Sequence, residues 1–182
     1  DPEGYYLEFE VFHEHPENEK LMPILNATES VYPDPEQKHT VPDGLGFKTL
    51  VVWGYYKDMA GIKAFYENVI GMEMIVDQGW TYIYPSSPST YIGLVDESRG
   101  MHKFTEDKGV TISFFTDNIA GWYEYLSSEN RIKMKSESLS EEENGRFTAF
   151  VGYDPANYYL EFDQFNEMPD NTRLIKALEE TK

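Results

Sequence analysis

The sequence predicts an α+β fold in which one β-α-β-β-β unit occurs twice in succession. Two runs of apolar residues at helical spacing point to it, each preceded by a β-branched strand and followed by three short strand candidates. The third observation is an internal repeat. Residues 1–29 lie without a gap over residues 154–182: Asp1-Pro2 over Asp154-Pro155, and Tyr5-Tyr6-Leu7-Glu8-Phe9 over Tyr158-Tyr159-Leu160-Glu161-Phe162. Phe12, Pro16, Asn18, Leu21 and Leu25 match Phe165, Pro169, Asn171, Leu174 and Leu178. Fourteen of the 29 positions are identical, and the offset of 153 residues is the size of a domain with its linker. The chain reads as the closing segment of one domain followed by a second, whole one.

Each element follows from local chemistry. Residues 1–29 supply a strand at 5–12 and a helix that Pro23 keeps short. Residues 30–45 carry Pro33, Pro35, Pro42 and Gly44 among polar residues, which is linker chemistry. The domain proper spans 46–165, with units 46–98 and 108–165, and 166–182 read as a short C-terminal helix and tail. In the first unit, 47–53 is β-branched and aromatic, so a strand. Asp58 is the N-cap of a helix whose face is Ile62, Phe65, Tyr66, Val69 and Ile70, and Gly71 stops it. Strands at 73–76, 80–84 and 90–95 follow. The second unit repeats this with a strand at 110–116, Asp117 as N-cap, a face of Ile119, Trp122, Tyr123 and Leu126, and strands at 132–135, 146–151 and 158–163. Asn144-Gly145 marks a hairpin turn, because both residues tolerate positive φ. The acidic run 138–143 before it is a solvated arm.

Composition narrows the function classes. The 182 residues, 40% hydrophobic with 14 Tyr and 11 Phe, fit a globular domain with one good core. No apolar stretch approaches the roughly 18 residues of a membrane span. A formal charge of −18 repels nucleic acid and anionic membrane surfaces, so neither is expected as a partner. The absence of Cys excludes disulfides, thiolate metal sites and a Cys nucleophile. No phosphate-cradling Gly-rich loop or Gly-x-Ser-x-Gly elbow is present. A first residue of Asp, with no basic-then-apolar leader, reads as a chain processed or cut from a longer one. No feature assigns a compartment.

The phrase Ala64-Phe65-Tyr66-Glu67-Asn68-Val69-Ile70-Gly71-Met72, the tandem β-α-β-β-β units and the closing Asp154-Pro155 turn with Leu160-Glu161-Phe162 resemble the vicinal oxygen chelate superfamily. That is the glyoxalase, bleomycin-resistance and extradiol-dioxygenase group. The resemblance covers about residues 46–165. It implies a deeply curved eight-stranded mixed sheet with helices outside and a ligand cavity inside. Alternation along the first strand agrees: Leu50 and Val52 suit the helix layer, while Thr49, Val51 and Trp53 would line the cavity.

Metal-using members carry ligands on the first and last strands of each unit. Carried over, those positions are Thr49, Gly93, Thr111 and Glu161, of which only Glu161 is a competent ligand. The expectation is therefore a domain with no cofactor that grips a small molecule, neutral or cationic and partly aromatic, between Thr49, Trp53, Tyr91, Thr111, Phe115, Tyr159 and Glu161. Two alternatives stand beside it. One is a lyase or dioxygenase using one divalent metal ion with Glu161 among its ligands; the other is a structural or interaction domain whose cavity its own aromatics fill. Set dry among Trp53, Phe115 and Tyr159, Glu161 would have a raised pKa. His13-Glu14-His15 resembles a metal motif, but its counterpart is Asn166-Glu167-Met168, and both His read as solvated. His102 reads as a loop residue and His39 as a linker residue. The strand at 5–12, cut off from its own sheet, is expected to pair at a sheet edge, with an edge-joined or swapped homodimer as one outcome.

Overall fold

The computed structural model describes residues 2 and 4–180. Asp1 and Glu3, at the start of the repeat, and Thr181 and Lys182, at its end, lie outside the described residues. The first unit contains β1 (Leu50–Tyr56), α2 (Met59–Asn68), β2 (Val76–Asp77), β3 (Thr81–Ser87) and β4 (Thr90–Asp96), after a short α1 (Leu21–Ala27) in the preceding segment. The second contains β5 (Thr111–Phe115), α3 (Ile119–Ser127), β6 (Lys133–Met134), β7 (Ser140–Glu141), β8 (Phe147–Tyr153) and β9 (Tyr159–Phe165), and α4 (Thr172–Glu180) follows. The Asp58 side chain caps α2 by accepting from Gly61 N at 2.9 Å. α3 is capped by Asn118, which accepts from Gly121 N at 3.0 Å, rather than by Asp117. The cap slips by one because Thr116 Oγ1 accepts from Asn118 N at 3.1 Å and extends the loop. Gly71 and Gly145 take the positive φ expected of a helix stop and a hairpin turn, at 81° and 72°.

Each unit forms its own mixed sheet. The first has the order β1-β4-β3-β2, the second β5-β9-β8-β6 with β7 beside β8. In both, the first strand runs parallel to the last, β1 with β4 and β5 with β9. The expected single eight-stranded sheet is thus replaced by a four-stranded and a five-stranded one. The free edge of β1 shows why, because the Tyr55 amide donates to the Tyr158 hydroxyl at 3.0 Å and a side chain takes the place of a neighbouring strand. The Tyr56 and Tyr158 rings, 5.3 Å apart, lie at the same joint.

One core runs between the helices and the outer faces of the sheets, with Tyr56, Ile62, Phe65, Tyr66 and Leu94 from the first unit and Leu126, Phe150, Leu160 and Phe162 from the second. Phe150 and Phe162 stack at 4.8 Å, and Trp122 of α3 lies 5.4 Å from Phe162. A second cluster sits on the opposite, inner face of the first sheet. There Leu21 and Leu25 of α1 are buried against Val76, Ile83 and Tyr91, with Phe12, Val51 and Trp53 at the margin.

Residues 5–12 form no strand, contrary to expectation. Tyr6, Leu7, Phe9 and Val11 are exposed, and side chains hold the segment instead. The Tyr5 hydroxyl donates to Gly109 O at 2.6 Å, Tyr6 meets the His102 ring at 4.6 Å, and Phe9 lies 6.0 Å from Phe47. The physical reason lies in the repeat. The counterpart of this segment is β9, and β9 already pairs with β5 on one side and β8 on the other.

Candidate functional site

The period-two alternation of a strand sends every second side chain to the inner face. On the first sheet these are Val51, Trp53, Ile83 and Tyr91, and α1 covers them: Tyr91 is only 2% exposed. Thr49 lies just before β1, where its hydroxyl donates to Ser89 O at 2.7 Å. Of the expected cavity wall, Trp53 and Tyr91 share this face, where Leu21 and Leu25 pack against it, and Thr49 lies beyond the start of the strand.

The inner face of the second sheet is open. Thr111, Ser113 and Phe115 of β5 stand opposite Tyr159, Glu161 and Asp163 of β9, and Tyr153, Val151 and Ala149 of β8 flank β9 on its other side. Thr111, Ser113 and Phe115 are exposed, while Tyr159 and Glu161 are half-buried. At the centre, Ser113 Oγ donates to Glu161 Oε2 at 2.8 Å. Toward one end the Tyr153 and Tyr159 rings lie 4.9 Å apart, with the Lys135 ammonium 4.5 Å from the Tyr159 ring. The Tyr153 hydroxyl and Lys135 hold the Tyr159 phenol below its ordinary pKa. Toward the other end Phe115 and Phe165 meet edge to face at 4.9 Å beside Asp163. Asp163 is 6% exposed, and no hydrogen bond reaches its carboxylate among the described residues. Burial, and then the charge of Glu161, push its pKa up to about 6.

Of the seven predicted site residues, Thr111, Phe115, Tyr159 and Glu161 thus share one face, and Thr49, Trp53 and Tyr91 belong to the other sheet. Glu161 is not set dry among Trp53, Phe115 and Tyr159, because Ser113 satisfies it on an open face. Sequence reasoning missed Ser113, Lys135, Tyr153 and Asp163. Alternation from Thr111 and Glu161 reaches Ser113 and Asp163 directly, whereas Tyr153 and Lys135 depend on the β8–β9 register and its neighbouring strand. The structure also forms a cleft of about 330 Å³ between the units, where Met72, Glu73 and Ser86 face Phe115, Thr116 and Trp122. Phe115 belongs to both places. His13 and His15 are exposed, and the His102 ring sits between Tyr6 and Tyr55 at 4.6 and 4.9 Å.

The four positions that the resemblance assigns to metal ligands do not fit a divalent cation. Thr49 spends its hydroxyl on Ser89 O, Thr111 offers a neutral hydroxyl, and Gly93 has no donor. Among the described residues no three His, Asp or Glu side chains gather as a metal site needs. Gly93 could not be converted into a ligand, because a Cβ there would clash with Cε3 and Cζ3 of Trp53, its register partner on β1. Gly93→Ala should accordingly lose about 1–3 kcal/mol by overpacking, seen as a lower melting temperature. An unchanged melt would mean that Trp53 does not lie across this glycine.

The profile of the Glyoxalase/Bleomycin resistance protein/Dioxygenase superfamily matches residues 51–162, more than half of the chain. The sequence matches no curated protein. Among solved structures, the fold is similar to a lactoylglutathione lyase from Agrobacterium tumefaciens, at 18% identity and TM-score 0.52 over 69% of this chain and 96% of that one. It is similar to the fosfomycin resistance protein FosX from Listeria monocytogenes, at 16% identity and TM-score 0.51 over 70% and 97%. A glyoxalase/bleomycin resistance protein/dioxygenase from Nocardioides gives 15% identity and TM-score 0.55 over 70% and 87%. With the profile match over both units, the chain belongs to the Glyoxalase/Bleomycin resistance protein/Dioxygenase superfamily.

Proposed function

We propose that this domain binds a small, partly aromatic, neutral or cationic molecule on the inner face of its second sheet, without a metal ion. The observation that carries the reading is the carboxyl pair Glu161 and Asp163 on one open face, between the Tyr153–Tyr159 pair and the Phe115–Phe165 pair. Asp163 is nearly buried and unpaired, so a ligand that brings a hydrogen-bond donor or a positive charge relieves a cost the fold already bears. Aromatic faces attract cations and give flat surfaces for stacking. The net charge of −18 steers cations toward the molecule. The first sheet supports a different role, since its inner face is filled by its own chain and suits the structural or interaction reading.

Titration with benzyltrimethylammonium tests this. Saturable binding is expected, and Glu161→Gln and Tyr159→Ala should each weaken it about tenfold, the equivalent of about 1.4 kcal/mol. Trp53→Phe, under α1, should leave it unchanged. Equal binding by all four proteins would rule out this face. A chain that retains one equivalent of Zn, Ni, Mn or Fe, and loses it in Glu161→Ala, would instead favour a metal-dependent lyase or dioxygenase.

A further inference from the structure

The two copies of the repeat meet different fates in the fold. In the first copy, Asn18 is buried and its Nδ2 donates to His13 O at 2.9 Å, while Asn18 N donates to His15 O at 2.8 Å. In the second, Asn171 is buried and its Nδ2 donates to Asn166 O at 2.8 Å, while Asn171 N donates to Met168 O at 3.0 Å. Each partner lies at the same offset of 153 residues, so the turn that launches α1 and the turn that launches α4 are built alike. The helices carry leucine at matching places, Leu21 and Leu25 on α1, Leu174 and Leu178 on α4. On α1 both are buried, against Val76, Ile83 and Tyr91 of the first sheet. On α4, Leu174, Ile175 and Leu178 form an apolar stripe, and no residue of the helix is buried.

We propose that α4 is a docking helix, and that the surface it fits is the inner face of the first sheet in a second copy of this domain placed after it in a chain. The structure contains the complex in miniature: α1 is the counterpart helix, with leucine at the same two places, and the inner face of β1–β4 is its receptor. Leu174 would take the place of Leu21 and Leu178 that of Leu25, against Val76, Ile83 and Tyr91 of the following copy. The Lys20–Glu73 ion pair at 2.7 Å, which ties the start of α1 to the first unit, is available to α4 as well, because Arg173 is the counterpart of Lys20. The junction in a two-copy chain follows from the repeat. Lys182 corresponds to Glu29, so Ser30 of the second copy follows Lys182 in register. Successive domains so joined would each lend a helix to the next, and the first sheet would be closed to ligand in all of them.

The test is a fusion of residues 1–182 to residues 30–182. With native α4 at the junction, both copies should unfold together near the midpoint of the single chain. Leu174→Asp with Leu178→Asp in the joining α4 should split off a transition about 10 °C lower, matching the loss that Leu21→Asp with Leu25→Asp causes in the single chain. The same pair in the terminal α4 of the fusion should change nothing. Equal effects at the two α4 positions, whether both silent or both destabilising, would overturn the proposal. So would a fusion whose second copy already unfolds early with native α4, since α4 would then fail to replace α1. Ligand binding plays no part in these readouts, so the assignment of the second sheet stands or falls separately.

Discussion

Alanine at both Leu21 and Leu25 should leave the chain unable to keep its first unit folded at 37 °C. Both side chains are buried, 2% and 8% exposed, and they form one cluster with Val76, Ile83 and Tyr91. Each buried Leu→Ala change costs about 2–5 kcal/mol once the lost transfer energy and the cavity are counted. Two such losses approach the whole stability of a domain, about 5–15 kcal/mol. They share a cavity, so the double loss need not equal the sum of the single ones. The measurement is urea unfolding followed by circular dichroism. Leu174→Ala with Leu178→Ala is the control, and on α4, which has no buried residue, it should change stability by no more than about 1 kcal/mol. A Leu21/Leu25 variant as stable as that control would show that α1 rests on the sheet without holding it. The same reasoning applies to removal of residues 1–29. Read from sequence, that segment is dispensable, because the domain has its own closing strand. Read from the packing, its removal strips the cover from Val76, Ile83 and Tyr91.

The elements themselves were legible because their signals are local. Asp58, the apolar face from Ile62 to Ile70 and Gly71 fix α2 within a few residues, and the alternation from Val51 to Trp53 assigns the two faces of β1 correctly. What occupied the inner face was not legible, because nothing in the order of residues says that Leu21 crosses to Tyr91. The repeat suggested that residues 1–29 belong to another body, and it gave no sign that α1 would be used twice over, as a tail by origin and as core by position. The fate of residues 5–12 turned on competition: Tyr5 to Phe12 has the pattern of β9, but β9 itself holds both neighbouring edges. At the candidate site, the closing motif points to Glu161 and alternation from Thr111 reaches Ser113, whereas Tyr153 and Lys135 depend on cross-strand register, which a single strand does not encode.

The two inner faces give one fold two kinds of surface. The first is aliphatic and aromatic where α1 lies, with Val51, Trp53, Val76, Ile83 and Tyr91, and a leucine-bearing helix matches it. The second sets Glu161, Asp163 and Ser113 among aromatic rings, and an aliphatic helix laid there would bury two carboxyl groups with Ser113 as their one hydrogen-bond donor among the described residues, at a cost of several kcal/mol. The first face is thus matched by the helix that lies on it, while the second is unsuited to such a helix, in keeping with the polar or cationic ligand proposed for it.

Asp154→Asn should stabilise the protein at pH 7.5 and leave it unchanged at pH 3.5. Asp154 is 3% exposed, in the turn between β8 and β9. Its Oδ1 accepts from Ala156 N at 2.8 Å and Tyr158 N at 2.9 Å. Its Oδ2 is buried with no hydrogen-bond partner, as are the hydroxyls of Tyr56 and Tyr66. Burial raises its pKa from 3.8 to about 6, although the two backbone amides, the neighbouring Tyr56 hydroxyl and the Lys108 ammonium pull the other way. Below about pH 3.8 both folded and unfolded chains carry the proton, and the group contributes no penalty. Between 3.8 and 6 the folded chain keeps a proton that the unfolded chain has released, so stability falls as pH rises. Above 6 the full penalty is in force, on the order of 3 kcal/mol. Asparagine keeps an oxygen for Ala156 N and Tyr158 N and places an amide donor beside the Tyr56 and Tyr66 hydroxyls, with no charge to desolvate. The gain at pH 7.5 should be about 1–3 kcal/mol by urea unfolding. Asp163, whose pKa is also raised, titrates in both proteins and cancels in the difference. Asp154→Ala should instead lose about 1–2 kcal/mol at pH 3.5, because it gives up both backbone hydrogen bonds. If Asp154→Asn were the less stable protein at pH 7.5, the carboxylate would have to be held as an anion by Lys108, whose Nζ lies 4.8 Å from the Tyr158 ring centre. The joint between the two units would then be an ion pair rather than a neutral hydrogen-bonded turn.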